Sequence, residues 1–227
     1  MKGEFLTHKL KFKAVIFDLD GTLLNTLADI GNAANQVLLA RGYPPHPVER
    51  YRNFVGDGAE SLMQRILPES ETTRENVRDC LAEFMKIYGE TWRTTTVPYP
   101  GIQELLNYLT AAGIKMAVLS NKPDEFVRQC VADLLSGWTF QPVFGFSGRF
   151  PRKPDPAGAI RIAEDLKMRK QDCVIIGDSG VDMQTAGSAD MFPLGAGWGF
   201  RSGGELMSAG CRYLAASPQD ALSFLLR

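Results

Sequence analysis

No long apolar run interrupts this sequence of 227 residues. Residues 1 to 13 alternate charge with single apolar side chains, without the continuous stretch that a signal peptide or a membrane span requires. No block of like charge stands out either. Lys and Arg number 25 against 26 Asp and Glu, for a net charge of -1, and a chain without a basic tract has little with which to track a phosphate backbone. Nucleic acid and membrane are therefore not expected as partners. Cysteine is scarce: Cys80, Cys130, Cys173 and Cys211 are scattered, form no CxxC pair and sit in apolar segments, so they read as reduced thiols of a cytoplasmic protein. The two histidines, His8 near the N-terminus and His46 among prolines, are assigned to surface structure. Internal repeats and low-complexity tracts are absent. The balance that remains, 44% hydrophobic and 22% charged residues, is that of an ordinary globular chain, long enough for one large domain or for a core domain with an insertion.

Short apolar runs alternate with longer segments of helical period. This pattern predicts an α/β fold, a Rossmann-like three-layer core with a parallel sheet, with strands at 13–17, 115–119, 173–177, 191–194 and, more weakly, 212–215. Nearly a hundred residues separate the first two strands, far more than a βαβ crossover needs. The excess carries helical periodicity, with Leu27, Ile30, Ala34, Val37 and Leu38 on one face and Val77, Leu81, Phe84, Met85 and Tyr88 on another. The expected organisation is a catalytic core of residues 1–24 and 97–227 and an inserted helical cap of residues 25–96, with hinges at the two crossings.

Chemistry-bearing residues gather at the ends of the predicted strands. The first strand runs Ala14-Val15-Ile16-Phe17 into Asp18-Leu19-Asp20-Gly21-Thr22. Side chains at i and i+2 of an extended chain point the same way, so Asp18 and Asp20 converge. At about 4 Å two such charges repel by roughly 4 kcal/mol at an effective dielectric near 20, and the pair calls for a cation or a shared proton. Magnesium, a hard ion that takes oxygen ligands, suits it. Gly21 permits a turn whose N–H groups face an anion, and Thr22 adds a hydroxyl. Taken alone, the run also fits a plain turn after a strand. The second strand ends in Ser120-Asn121-Lys122-Pro123, with Ser120 beside a helix start, where it serves equally well as a cap. Lys153, between Arg152 and Pro154, is a cation held by a stiff segment, although a single lysine is more often a solvated surface charge. The third strand delivers Asp178, with Asp182 four residues on, both of which could simply cap the next helix. Ligands of open parallel sheets bind at the carboxyl ends of the strands, which is where Asp18, Ser120 and Asp178 all emerge.

In that order, Asp18-Leu19-Asp20-Gly21-Thr22, Ser120-Asn121, Lys153-Pro154 and Gly177-Asp178-Ser179 to Asp182 resemble the four motifs of the haloacid dehalogenase-like hydrolase superfamily, and the insertion resembles its helical cap. Asn53 to Ala59 and Gly197-Trp198-Gly199-Phe200 look like its phosphoglycolate phosphatase branch. The resemblance implies a phosphoric monoester hydrolase in which Asp18 is the nucleophile and Asp20 the general acid and base. It further implies phosphate binding by Gly21, Thr22, Ser120, Asn121 and Lys153, and a magnesium ion held by Asp18, Asp20 through its backbone carbonyl, Asp178 and Asp182. Gly56, Asp57 and Gly58, at a helix start, are candidate ligands of a substrate carboxylate. The acid at Asp20 disfavours dehalogenation, and the absence of a lysine between Asn25 and Gly42 disfavours phosphonate cleavage. The expected partner is a small phosphorylated metabolite, best 2-phosphoglycolate, turned over by a monomer or homodimer. A sugar phosphomutase or broad sugar phosphatase is the alternative enzyme, and a non-catalytic phosphate-responsive switch the alternative of another class.

Overall fold

The computed structural model describes residues 11–226; His8 lies outside them. The chain runs through β1 (Ala14–Phe17), β2 (Leu24–Asn25), α1 (Leu27–Ala40), α2 (Tyr51–Phe54), α3 (Ala59–Ile66), α4 (Arg74–Thr91) and β3 (Val97–Pro98). It continues through α5 (Ile102–Ala111), β4 (Lys115–Pro123), α6 (Asp124–Leu134), β5 (Val143–Phe146), α7 (Ala157–Asp165) and β6 (Cys173–Gly177). Last come α8 (Gly180–Ser188), β7 (Phe192–Ala196), α9 (Gly203–Ser208), β8 (Tyr213–Ala215) and α10 (Pro218–Leu225).

Six strands form one parallel sheet in the order β5-β4-β1-β6-β7-β8. The continuous apolar run of β1 suits a strand covered on both faces, and β1 lies inside the sheet, with Ala14 in register with Lys115 on one side and Cys173 on the other. Its side chains alternate: Val15 and Phe17 join a core with Leu105, Leu106, Val127 and Leu222, whereas Ala14 and Ile16 pack with Ile162, Ala163 and Ala186. Helices thus cover both faces, in the α/β arrangement with a parallel sheet that the strand spacing predicts. From β1 the order extends to β4 and β5 on one side and to β6, β7 and β8 on the other, which opens a crevice at the carboxyl end of β1.

Two elements escape the sequence pattern. The half-buried edge strand β5 is only four residues long and contains Gly145, so its signal is weak. The two crossings, β2 and β3, pair with each other as a short antiparallel ribbon, Leu24 against Pro98 and Asn25 against Val97. Beside this ribbon the buried Asp29 carboxylate, in the first turn of α1, accepts hydrogen bonds from the N–H and hydroxyl groups of both Thr95 and Thr96 at 2.7–3.0 Å. The helices between the crossings pack on one another, and their apolar side chains, among them Ile30, Leu62 and Phe84, continue without a break into the cluster on one sheet face.

Candidate active site

Asp18 leaves the end of β1 with its N–H bonded to the Ile176 carbonyl of the neighbouring strand at 2.9 Å. Its carboxylate is 8% exposed and lies 2.8 Å from Lys153 Nζ. The Lys153 ammonium also donates to Asp182 Oδ1 at 2.6 Å. Lys153 is buried at 5% exposure, which distinguishes it from an ordinary solvated lysine. Burial works against its ammonium, but Asp18 and Asp182 outweigh that cost and hold its pKa above the usual lysine range. Asp182 has both oxygens engaged, since Oδ2 accepts from the Ser179 N–H at 3.1 Å and the Ser179 hydroxyl at 2.5 Å. It therefore joins the capping box of α8 and anchors Lys153 at once.

Asp178 is 2% exposed at the end of β6. Its Oδ2 accepts from the Phe200 N–H at 2.7 Å, and the Thr22 hydroxyl lies 3.4 Å from Oδ1. Backbone passes unusually close here. Gly21 has φ +84°, and a Cβ on it would lie 2.1 Å from Asp178 Oδ2; one on Gly199 would lie 2.2 Å from Asp178 Cβ. Oxygen atoms of Asp18, Asp178 and Asp182 lie within 4.8 Å of one another. Burial first, and then the neighbouring carboxylates, push the Asp18 carboxyl up to about 6 and that of Asp178 well above its ordinary value. Three buried carboxylates with one ammonium between them form a hard, oxygen-rich and over-negative donor set, and the residues present fit a divalent cation of the magnesium class.

Asp20 is held separately. Its two oxygens accept from Lys122 Nζ at 3.0 and 3.2 Å, and the same ammonium donates to the Tyr88 hydroxyl of α4 at 2.7 Å. Asp18, Asp20, Ser120, Asn121, Lys122 and Asp178 line one cavity, whose other walls include Ile30, Val55, Leu62, Phe84, Phe126 and Phe200. Gly56 and Gly58 also line it, whereas Asp57 does not and forms an ion pair with Arg65. Gly21 and Thr22 lie off the cavity wall. The Thr22 hydroxyl faces Asp178, and its carbonyl accepts from Trp198 Nε1 at 3.0 Å. Asn121 differs from expectation, since both N–H groups of its side-chain amide are engaged, with the carbonyls of Gly56 and Lys153 at 3.1 and 3.0 Å. Its oxygen accepts from the Lys153 N–H at 2.8 Å, so the side chain positions the lysine loop and offers no donor to a phosphate.

Lys122 is the residue that motif reading passes over. Its signal is the strand period: β4 continues to Pro123, and Lys122 follows Ser120 at i+2. Arg201 is a second bridge to the helical segment, donating from Nη2 to the carbonyls of Val55 at 2.9 Å and Asn53 at 3.3 Å.

The sequence model of a family described as haloacid dehalogenase-like hydrolase matches residues 15–196. The phosphoglycolate phosphatase of Psychrobacter arcticus is 34% identical over 200 residues, covering 85% of this chain and 86% of the relative. That of Nitrosospira multiformis is 30% identical over 221 residues, covering 95% and 96%. Among solved structures, a provisionally assigned phosphoglycolate phosphatase from Lactobacillus delbrueckii subsp. bulgaricus superposes with a TM-score of 0.89 at 32% identity, over 95% of this chain and 99% of that one.

Proposed function

The chain belongs to the haloacid dehalogenase-like hydrolases, and from that premise we propose that it is a magnesium-dependent phosphatase of small phosphomonoesters, with 2-phosphoglycolate its best-matched substrate. The observation that carries the reading is the buried Asp18 carboxylate at the end of β1, 2.8 Å from Lys153 and clustered with Asp178 and Asp182.

An Asp18 oxygen attacks phosphorus in line with the ester oxygen. The bond from phosphorus to that oxygen breaks, and Asp20 gives the departing alkoxide a proton. Asp20 then takes a proton from water as the water oxygen attacks the aspartyl phosphate, which releases inorganic phosphate and restores both aspartates. Lys153 exchanges its contact with Asp18 for the transferring phosphoryl oxygens while Asp182 keeps it in place, and Ser120 supplies a hydroxyl from within β4. Asp18, the Asp20 carbonyl and Asp178 would hold the divalent cation, supported by Asp182, and when bound it would neutralise enough charge for an anionic ester to approach an anionic nucleophile. Residues 25–96 act as the cap that closes over this chemistry and excludes water. The apolar walls of the cavity favour a compact ester over a sugar phosphate, whose hydroxyls would find few partners there.

Phosphate release from a panel of esters, with magnesium or with chelator, tests this. The expected result is magnesium-dependent hydrolysis, fastest on 2-phosphoglycolate and lost in Asp18→Asn. Absence of release from every ester would refute it.

A further inference from the structure

A two-carbon leaving group that carries a carboxylate poses an electrostatic problem in this cavity. The wall already holds Asp18, Asp20 and Asp178 and is otherwise largely apolar, so another buried negative charge needs a cation. Lys153 already serves two carboxylates. Arg201 reaches the wall, but Nη2 donates to the Asn53 and Val55 carbonyls and Nη1 faces Glu205 at 3.8 Å. Lys122 remains. It is 7% exposed, lines the cavity, and has a single carboxylate partner, Asp20, together with one neutral partner, the Tyr88 hydroxyl. An ammonium carries three donors, of which Asp20 takes two and Tyr88 one, so a hydrogen is released for a third group when Asp20 turns from the lysine to the ester oxygen.

Resting on the phosphatase reading, we infer that Lys122 is the substrate-carboxylate ligand, and that it makes the enzyme selective for phosphate esters of α-hydroxy acids. The placement follows from covalent structure. Asp20 must touch the ester oxygen to protonate it, and in 2-phosphoglycolate a single methylene separates that oxygen from the carboxylate. A cation 3.0 Å from Asp20 therefore lies where that carboxylate arrives. Tyr88 and the edge-on ring of Phe126, 5.0 Å from it between centroids, form an apolar floor that dries the pair and strengthens it. The Gly56–Gly58 loop then closes the pocket and need not supply the charge.

Ethyl phosphate has the same chain length without the carboxylate, which makes it the matched control. In Lys122→Met, kcat/KM is expected to fall for both esters, because Asp20 loses its partner, but about 100-fold further for 2-phosphoglycolate. Glycolate should also cease to compete with ethyl phosphate. Lys122→Gln, which keeps a hydrogen-bond donor, serves as the second variant, and its residual ethyl phosphate hydrolysis reports folding. An equal fall on both esters with the preference retained overturns the inference and leaves the phosphoglycolate reading intact. A wild-type enzyme that hydrolyses both esters without preference overturns the two together. If wild type hydrolyses neither, a glycolate-induced rise in Tm that is lost in Lys122→Gln supports the inference, and a rise that persists or never occurs overturns it.

Discussion

At Asp18, burial and the neighbouring acids act against the charge that its proposed role as nucleophile needs. Its carboxyl is pushed up to about 6, first by burial and then by Asp182, with Lys153 opposing. A carboxyl whose folded-state pKa exceeds its unfolded value of 3.8 binds its proton more tightly in the native state. The native state therefore loses stability as pH rises from about 4 through about 6, and the loss persists above that range. Asp18→Asn removes the charge. In chelator at pH 7.5 the variant is expected to be more stable than wild type by up to about 3 kcal/mol, a gap that closes toward pH 4 and is read by urea titration. Asp182 makes the opposite prediction. Asp182→Ala leaves the buried Lys153 with one acid fewer and removes the cap of α8, so a loss of about 3 kcal/mol is expected in the same titration, with a fall in kcat.

Between elements, the decisive contact is Asp29 with Thr95 and Thr96. One buried carboxylate satisfies four donors from the returning chain and locks the start of α1 to the β2–β3 crossing. Asp29→Ala would orphan the N–H and hydroxyl of the buried Thr96, while those of the exposed Thr95 turn to water, at an expected cost of about 3 kcal/mol, whereas Thr95→Val, which removes one exposed hydroxyl, should cost under about 1 kcal/mol. Urea midpoints of the two variants check the ratio. Tyr88 of α4 and Arg201 of the loop after β7 reach across from opposite sides, so the helical segment bonds both Lys122, the partner of Asp20, and the loop that fixes Asp178.

For the molecule as a whole, charge and compaction oppose each other at the strand ends, and a divalent cation held there would relieve the opposition. Magnesium is expected to raise Tm, more at pH 7.5 than at pH 5, where protons compete for the same carboxylates, and Asp178→Asn should abolish the rise. A reductant should leave Tm unchanged, since all four cysteines are buried free thiols. How much of this was legible in advance follows from distance along the chain. The parallel sheet, the long excursion after β1 and the acids at the ends of β1 and β6 are local matters of an apolar run followed by a carboxylate, and the amino-acid order alone determined them. The partners of those acids are not local. Lys122 lies 102 residues from Asp20, Thr95 lies 66 from Asp29, and Arg201 lies 146 from Val55. Apart from the i+2 step from Ser120 to Lys122, nothing in a short window distinguishes such a lysine, aspartate or arginine from a solvated one, because its energy depends on what docks against it. Only the tertiary structure decided that Asn121 positions Lys153, that the two crossings pair, and that Lys122 stands buried beside Asp20, because burial removes water and obliges every polar group to find its partner in the protein.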